Sequence, residues 1–324
     1  MSPKEMASFS LDPTDEIPPL LQFWRSLYRC LPRFPSTQFD ISFTLATALV
    51  LISLRFFFEY VLIRLFDWPS YAHDGMALNF HTKLAASSMV AIFHSINLVP
   101  ALVYCFFYPR TLPYGPSQRR QVAPLWWQDV VTALLQFCTG YMVYDGLLNI
   151  IWLKLYYTKA GILTGEDFMF LGHHLATTIY MSATRYLGAG HMSAMMCMLL
   201  GEATNPLHNA YYIFQTAQTL PCCNGTTSQA IFAAITFGFA VSYLLMRAII
   251  GPVICTHMTY DLIRNGRTNG IPVGWIVTWV LLIWGVLIGS IPWIQDCWNM
   301  VVTHQYTLSM ISASRSVATG NIEL

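Results

Sequence analysis

The amino-acid sequence predicts an all-α membrane protein with about seven transmembrane helices. The composition is 55% hydrophobic and only 10% charged, whereas soluble domains carry about 25% charged residues. The chain therefore has too little charge to cover a water-facing surface. Seven mostly apolar stretches are close to the length of about 20 residues that a helix needs to cross a bilayer. Turn residues and charges separate these stretches, as at 67–75 and 110–121.

The elements are predicted as follows, from the N-terminus onward. Residues 1–40 form a polar, proline-interrupted segment, in which 20–31 is either a short amphipathic helix at the membrane interface or a loop. A leading transmembrane helix is expected at 41–66, a domain of six further helices at 82–298, and a polar tail at 299–324. The seven spans are placed at 41–65, 84–108, 129–153, 168–187, 190–217, 229–256 and 273–295.

Residues 167–209 carry an unusual number of ionisable side chains for an apolar sequence. Such groups are expensive inside a membrane and usually face the interior of a helix bundle, where they mark candidate functional positions. His173 and His174 are consecutive, Thr177 is close enough on the helix for its hydroxyl to orient either ring, and Asp167 precedes His174 by two turns. Imidazoles suit general acid–base catalysis, and a neutral imidazole is also a nucleophile toward acyl groups.

Glu202, Asn205 and Asn209 lie on one face of the fifth span, at spacings of three and four residues. Pro206 cannot donate a hydrogen bond to the carbonyl of Glu202, so the helix should kink there. Backbone groups released inside a membrane are tolerated where they line a cavity. The sequence therefore predicts a pocket beside Glu202, with a simple packing kink as the alternative.

Charged and polar groups in other spans have simpler explanations. Arg55 and Glu59 are four residues apart, so they are expected to neutralise each other on one helix face. His94 and Asn97 are interpreted as contacts between helices. Asp145 lies inside the third span on the same face as Tyr141 and Asn149, with a functional and a structural role equally open.

Arg247 in the sixth span needs a partner because a guanidinium keeps its charge. Glu202 is the favoured candidate and Asp145 the other. One adjacent His pair does not supply the several His clusters of a membrane di-iron site, so no metal and no resident cofactor are expected. The net charge of +1 gives no basic stripe, which argues against a nucleic-acid partner.

These residues together resemble the TLC domain family, which includes the ceramide synthases and the TLC-domain-containing proteins. The resemblance is carried, in chain order, by Tyr144-Asp145, Asp167, His173-His174-x-x-Thr177, Glu202, and Arg247 with Pro252. It covers about residues 82–298. It implies a six-helix membrane barrel with an extra leading helix outside it and a role in lipid metabolism or acyl-chain sensing. The typical location is the endoplasmic reticulum, with another endomembrane or the plasma membrane as alternatives.

The resemblance is closer to the non-synthase members. Ceramide synthases carry two Asp between the His pair and the Glu, and the stretch 195–206 of this chain has none. The predicted function is therefore to bind, sense or remodel acyl lipids, with a membrane lipid or acyl chain as partner. The alternative is an N-acyltransferase with acyl-CoA as co-substrate, and a chaperone or transport role for membrane proteins is a third class.

Each of the conspicuous polar residues has an expected role under these two functions. Under the acyltransferase alternative, the resemblance implies that His173 and His174 are catalytic: one takes the acyl group, and the other, or Glu202, moves the proton. The residues expected to contact the lipid or substrate are Tyr144, Asp145, Asp167, Thr177, Asn205, Asn209 and Arg247.

Overall fold

The chain is almost entirely helical wherever the structure describes it. In the computed structural model, the described residues are 17–31, 40–69, 77–107, 115–147, 165–218, 220 and 225–303. The helices are α1 (Pro19–Cys30), α2 (Ser42–Leu65), α3 (Ala77–Phe107), α4 (Leu125–Asp145), α5 (Gly165–Leu187), α6 (His191–Glu202), α7 (Asn205–Ala217), α8 (Thr226–Leu244), a π-helical turn (Leu245–Ile250), α9 (Gly251–Asn265), α10 (Val273–Gly289) and α11 (291–303).

Four helical stretches in the described part of the chain are long and apolar enough to cross a membrane. They are Ser42–Leu65, His81–Phe107, Thr226–Asn265 and Val273–Thr303. The other three predicted spans fall on α4, on α5, and on α6 together with α7. These helices carry Asp145, His174 and Glu202, which are all buried in the protein. These polar groups lower the hydropathy of the three helices. They are tolerated because they face other helices instead of lipid.

Six of the predicted spans form a closed ring. Helix α3 contacts α4, α4 contacts α5, α5 contacts α10, and α10 contacts α9. Helix α8, which runs into α9 through the π-helical turn, contacts α7, and α7 returns to α3. Helix α6 contacts α3, α4, α5 and α9, so it fills one half of the ring from inside. The six-helix barrel expected from the family resemblance is therefore present.

Two helices pack outside the ring. Helix α2 contacts α3 and α4, and the short α1 contacts α4. Of the two alternatives for residues 20–31, the helix is correct, with Leu21 and Trp24 buried on one face. Arg25 and Arg29 both reach Asp129 of α4, at 3.5 and 2.7 Å.

The predicted neutralisation of Arg55 by Glu59 is confirmed, and it includes a third residue. Arg55 Nη1 lies 3.2 Å from Glu59 Oε2, and Lys83 Nζ from α3 lies 2.7 Å from Glu59 Oε1. A lysine from another helix therefore shares the carboxylate, which ties α2 to the outside of α3.

Three loops meet at one end of the ring, and we call residues 115–122, 188–190 and 266–270 the loop seam. Backbone hydrogen bonds join the first two loops, from Arg120 N to Gly188 O at 2.8 Å and from Gly190 N to Gln118 O at 3.0 Å. The third loop is joined to the first by Asn269, whose side-chain amide donates to Ser117 Oγ at 2.9 Å. The seam closes this end of the ring because its loops are hydrogen-bonded directly to one another.

Candidate functional site

A cavity of about 690 Å³ lies inside the ring, at the end where α6 stops. A smaller pocket of about 60 Å³ adjoins it and shares His173, Glu202 and Arg247 with its lining. The larger cavity has a polar part and an apolar part, the latter including Leu282 and Val286 of α10. Ligand-binding cavities typically measure about 300–1,000 Å³, so this one has the size of a binding site.

Ten residues were expected from the sequence to be catalytic or to contact the lipid, and nine of them line the cavity or the adjoining pocket. They are Asp145, Asp167, His173, His174, Glu202, Asn205, Asn209 and Arg247 in the cavity and Thr177 in the pocket. The tenth, Tyr144, is buried beside Tyr141 with 6.2 Å between ring centroids, and it does not belong to either lining. Asn149 lies outside the described residues.

Glu202 occupies the break that Pro206 imposes on the fifth span. Helix α6 ends at Glu202, and α7 begins at Asn205 with the proline in its first turn. Because proline has no N–H to donate, the hydrogen bond to the Glu202 carbonyl is missing here, and Ala203 and Thr204 form a turn between the two helices. The predicted kink is thus a break in the helical hydrogen bonding, while Ala203 and Thr204 keep right-handed helical angles. The buried carboxylate of Glu202 lies at this break, in the cavity wall.

One oxygen of the Glu202 carboxylate has three polar neighbours. Ser95 Oγ donates to Oε2 at 3.0 Å, and Asn205 Nδ2 donates to it at 2.8 Å. His94 Nδ1 lies 3.3 Å from the same oxygen, but the two atoms do not meet the angular requirement for a hydrogen bond. These donors compensate the carboxylate for the loss of water.

The interpretation of His94 as a contact between helices is confirmed, but its position beside Glu202 was not expected. Its ring is fully buried and stacks on Tyr141, with 4.0 Å between centroids and 10° between planes. Asn97, with which it was paired in sequence, instead donates to the carbonyl of Phe93 in its own helix. The spacing of four residues between Tyr141 and Asp145 could have identified this face of α4, but nothing in the sequence connects His94 with Glu202.

His174 forms a pair with Asp145 across α5 and α4. Its Nδ1 lies 2.8 Å from the carbonyl oxygen of Phe170, which can only accept, so Nδ1 carries a hydrogen. Its Nε2 lies 2.9 Å from Asp145 Oδ2, so one proton lies between these two atoms. Imidazole and carboxyl together therefore have no net charge, which suits a buried position. Asp145 is the last residue of α4, and the next described residues, 146 and 147, continue in a π-helical conformation.

His173 points into both the cavity and the adjoining pocket. Within the described residues its ring makes no hydrogen bond, and the ring of His174 lies at 5.7 Å in an edge-on arrangement. The expectation that Thr177 orients an imidazole is wrong. Its hydroxyl donates to the backbone carbonyl of His173 at 2.8 Å.

Arg247 does not form the ion pair expected from the sequence. In the described part of the chain, no carboxylate oxygen lies within 4.0 Å of its guanidinium, and this includes Glu202 and Asp145. The guanidinium instead lies 5.9 Å from the ring centroid of Tyr243. Arg247 stands in the π-helical turn that precedes Pro252, and such turns are frequent at functional sites.

Other polar and aromatic residues that the sequence did not single out complete the wall near Arg247. They are His208, Tyr212, Tyr243, Ser290 and Trp293. The His208 ring stacks on Phe239 at 4.7 Å. No group of three or more His, Cys, Asp or Glu side chains among the described residues has the arrangement of a metal site.

A closed ring of membrane-spanning helices around a partly polar cavity defines a polytopic membrane protein of the helical-barrel class. The chain belongs to the TLC domain family, which matches residues 84–299. A TLC domain-containing protein of Arabidopsis thaliana is 24% identical over 139 residues, which make up 41% of this chain and 52% of that protein. The chain thus matches about half the length of this curated relative. No solved structure matched the chain.

Proposed function

We propose that this protein binds acyl lipids inside its helical ring and thereby senses or remodels the lipid composition of its membrane. The observation that carries the proposal is the cavity of about 690 Å³, which has charged groups at one side and the apolar side chains of α10 at another. A membrane lipid has the same division between a polar head and an apolar chain. We propose the endoplasmic reticulum as the compartment, as the resemblance to the family implies.

The apolar part of the cavity has room for a hydrocarbon chain. Gly285 of α10 lines the cavity where the cavity is open to the outside, since this glycine is exposed, and a Cβ atom added there would have no heavy atom within 4 Å. The adjoining pocket adds the flexible side chains of Met181 and Met198. Methionine adapts its shape to irregular apolar partners, so this region can accommodate chains of different curvature.

Filling the cavity from Gly285 tests the proposal. Protein purified in mild detergent should retain acyl lipids that mass spectrometry identifies, and Gly285→Phe should lower the retained amount about tenfold because its ring occupies the lipid's place. Gly274→Phe is the matched control, since Gly274 stands at the start of the same helix, also has open space around it, and is outside both linings. Equal lipid content in wild type and Gly285→Phe would contradict the proposal.

N-acyl transfer from acyl-CoA is a second candidate, favoured by the unbonded ring of His173. In this reaction an imidazole nitrogen would attack the thioester carbonyl, and the C–S bond would break with release of the thiol of CoA. The amine of a sphingoid base would then displace the imidazole and form the amide. The missing Asp residues at 195–206 and the pairing of Asp145 with His174 instead of His173 argue against it.

Membranes containing wild type or His173→Ala distinguish the two functions. Incubated with acyl-CoA and a sphingoid base, the wild type should form the N-acyl product only if the protein is an acyltransferase, and His173→Ala should then abolish it. Since the His173 ring makes no hydrogen bond, the alanine variant should fold normally. Lipid retention without any N-acyl product would assign the protein to lipid binding.

A further inference from the structure

The charged side chains in the cavity wall differ in whether a neighbouring side chain bonds to them. Asp145 and His174 form a neutral pair, and Oε2 of Glu202 is held by Ser95, Asn205 and the neighbouring His94. Arg247 has no such partner among the described residues. Its Nε atom is buried and makes no hydrogen bond. A guanidinium keeps its charge in a protein interior, so an unpaired one is costly unless an anion joins it.

The backbone holds Arg247 in this position. Pro252 lacks the N–H that would continue the α-helical hydrogen bonding, and the preceding residues 245–250 adopt the wider π-helical turn. A Cβ atom at Gly251 would lie 3.0 Å from the carbonyl oxygen of Met246, so the turn is also tightly packed. The main chain therefore fixes the point from which the Arg247 side chain reaches the cavity, and no ion pair among the described residues holds its guanidinium.

The surroundings of Arg247 combine hydrogen-bonding groups with an aromatic platform. The guanidinium lies over the ring of Tyr243 at 5.9 Å. His208 lines the same cavity, and its ring makes no hydrogen bond to the described residues. Ser290 and Trp293 complete this wall. Arginine binds phosphate and carboxylate groups through two parallel N–H bonds, and aromatic stacking leaves those bonds available.

We infer that Arg247 binds the oxyanion of a lipid headgroup, a phosphate or a carboxylate, inside the cavity. This inference rests on the proposed function and specifies the class of lipid. The headgroup lies between Arg247 and His208, and the acyl chain runs along Leu282 and Val286. The site therefore selects anionic over neutral lipids of the same chain length.

Binding of defined lipids to the purified full-length protein, followed by native mass spectrometry, tests this selectivity. The probes are dioleoylphosphatidic acid, oleic acid and the neutral dioleoylglycerol, with inorganic phosphate as a competitor. Wild type should bind at least one anionic lipid about ten- to a hundredfold more tightly than dioleoylglycerol, which is the range for charge-assisted hydrogen bonds. Whether the phosphate or the carboxylate lipid is preferred identifies the headgroup.

Arg247→Gln should remove this preference while binding of dioleoylglycerol remains. Arg264→Gln is the matched control, because Arg264 also lies over a tyrosine four residues earlier, at 5.7 Å from Tyr260, but is outside the cavity. It should keep the wild-type preference. Arg247→Lys retains the charge without the paired N–H bonds and should give an intermediate preference, which also covers the case in which the glutamine variant fails to fold.

Other outcomes separate failure of this inference from failure of the proposed function. Equal affinity of wild type for all three lipids, or an unchanged preference in Arg247→Gln, would overturn the role of Arg247 and leave lipid binding intact. Displacement of the anionic lipid by millimolar inorganic phosphate would assign the site to small anions and overturn the lipid headgroup. Absence of binding by every lipid would refute the proposed function itself, and this inference with it.

Discussion

The loop seam and the cavity lie at opposite ends of the same helical ring and are built in opposite ways. At the seam, Asp261 accepts hydrogen bonds from Ser117 N at 2.6 Å and from Asn265 at 2.7 Å, so loops and helix ends bond each other directly. A Cβ atom at Gly190 would lie 2.6 Å from the Trp279 ring. At the cavity, a Cβ atom at Gly285 would meet no atom.

The comparison teaches where this fold can hold a ligand. In the half of the ring that contains α6, the adjoining pocket measures about 60 Å³, whereas the cavity beyond the end of α6 measures about 690 Å³. The break at Pro206 moves the chain from the centre of the ring to its wall, because α7 packs on α3 and α8. The break at Pro206 therefore separates the half of the ring that contains α6 from the half that contains the cavity, where Arg247 and His173 line open space.

The largest difference between the two ends should appear at Gly190. Its φ of 80° lies in the left-handed region, where alanine costs about 1–2 kcal/mol, and displacing the buried Trp279 ring adds about 1–3 kcal/mol. We expect Gly190→Ala to lower the free energy of unfolding in detergent by about 2–5 kcal/mol. Gly188→Ala is the control, since Gly188 has a φ of 65° but no neighbour within 4 Å, and it should lose only about 1–2 kcal/mol. Equal losses would show that the seam is not tightly packed.

The pair of His174 and Asp145 should give an effect of intermediate size at the cavity end. Replacing one partner leaves the other buried without the group that shares its proton. Replacing both leaves two neutral amide side chains that no longer depend on each other. We expect a double-mutant cycle of His174→Gln and Asp145→Asn to show a coupling of about 1–3 kcal/mol in thermal unfolding. The same cycle on His173 and Asp145 is the control and should give a coupling near zero. Similar coupling for both histidines would mean that Asp145 does not distinguish them.

The smallest effect should have the opposite sign and occurs at Gly285. This residue is inside helix α10 with open space around it. Glycine within a helix is less favourable than alanine by about 0.5–1 kcal/mol, so Gly285→Ala should raise the free energy of unfolding by about that amount. The same substitution at Gly190 should be destabilising. A clear loss of stability in Gly285→Ala would indicate that the cavity is narrower than the structure shows.

Several features of the fold could be predicted from particular residues. The low charge and the apolar stretches identified a membrane protein, and helices α2, α3, α8 and α10 occur where spans were expected. Pro206 correctly indicated an interruption next to Glu202, because proline has no N–H for the carbonyl four residues earlier. Arg55 and Glu59 could be paired because residues four apart on one helix are always neighbours.

Contacts between residues far apart in sequence could not be predicted in this way. Arg247 was expected to pair with Glu202. It stands in a π-helical turn, which is wider than an α-helical turn, so its side chain points in a different direction from that expected for a regular α-helix. Thr177 bonds its own backbone instead of an imidazole. His94 was interpreted as a helix contact, and its place beside Glu202 depends on how α3 is rotated against α6.

The sequence alone determined that this protein is a helical membrane protein of the TLC type, which residues share a helix face, and where proline ends a helix. These properties depend on local hydrogen bonding, helical spacing and hydropathy. Only the tertiary structure decided that Asp145 binds His174, that His94 approaches Glu202, and that Arg247 is left beside an open cavity. The reason is physical, because the rotation of each helix about its own axis is set by packing against all its neighbours at once, and a turn of 100° per residue moves a side chain from one partner to another.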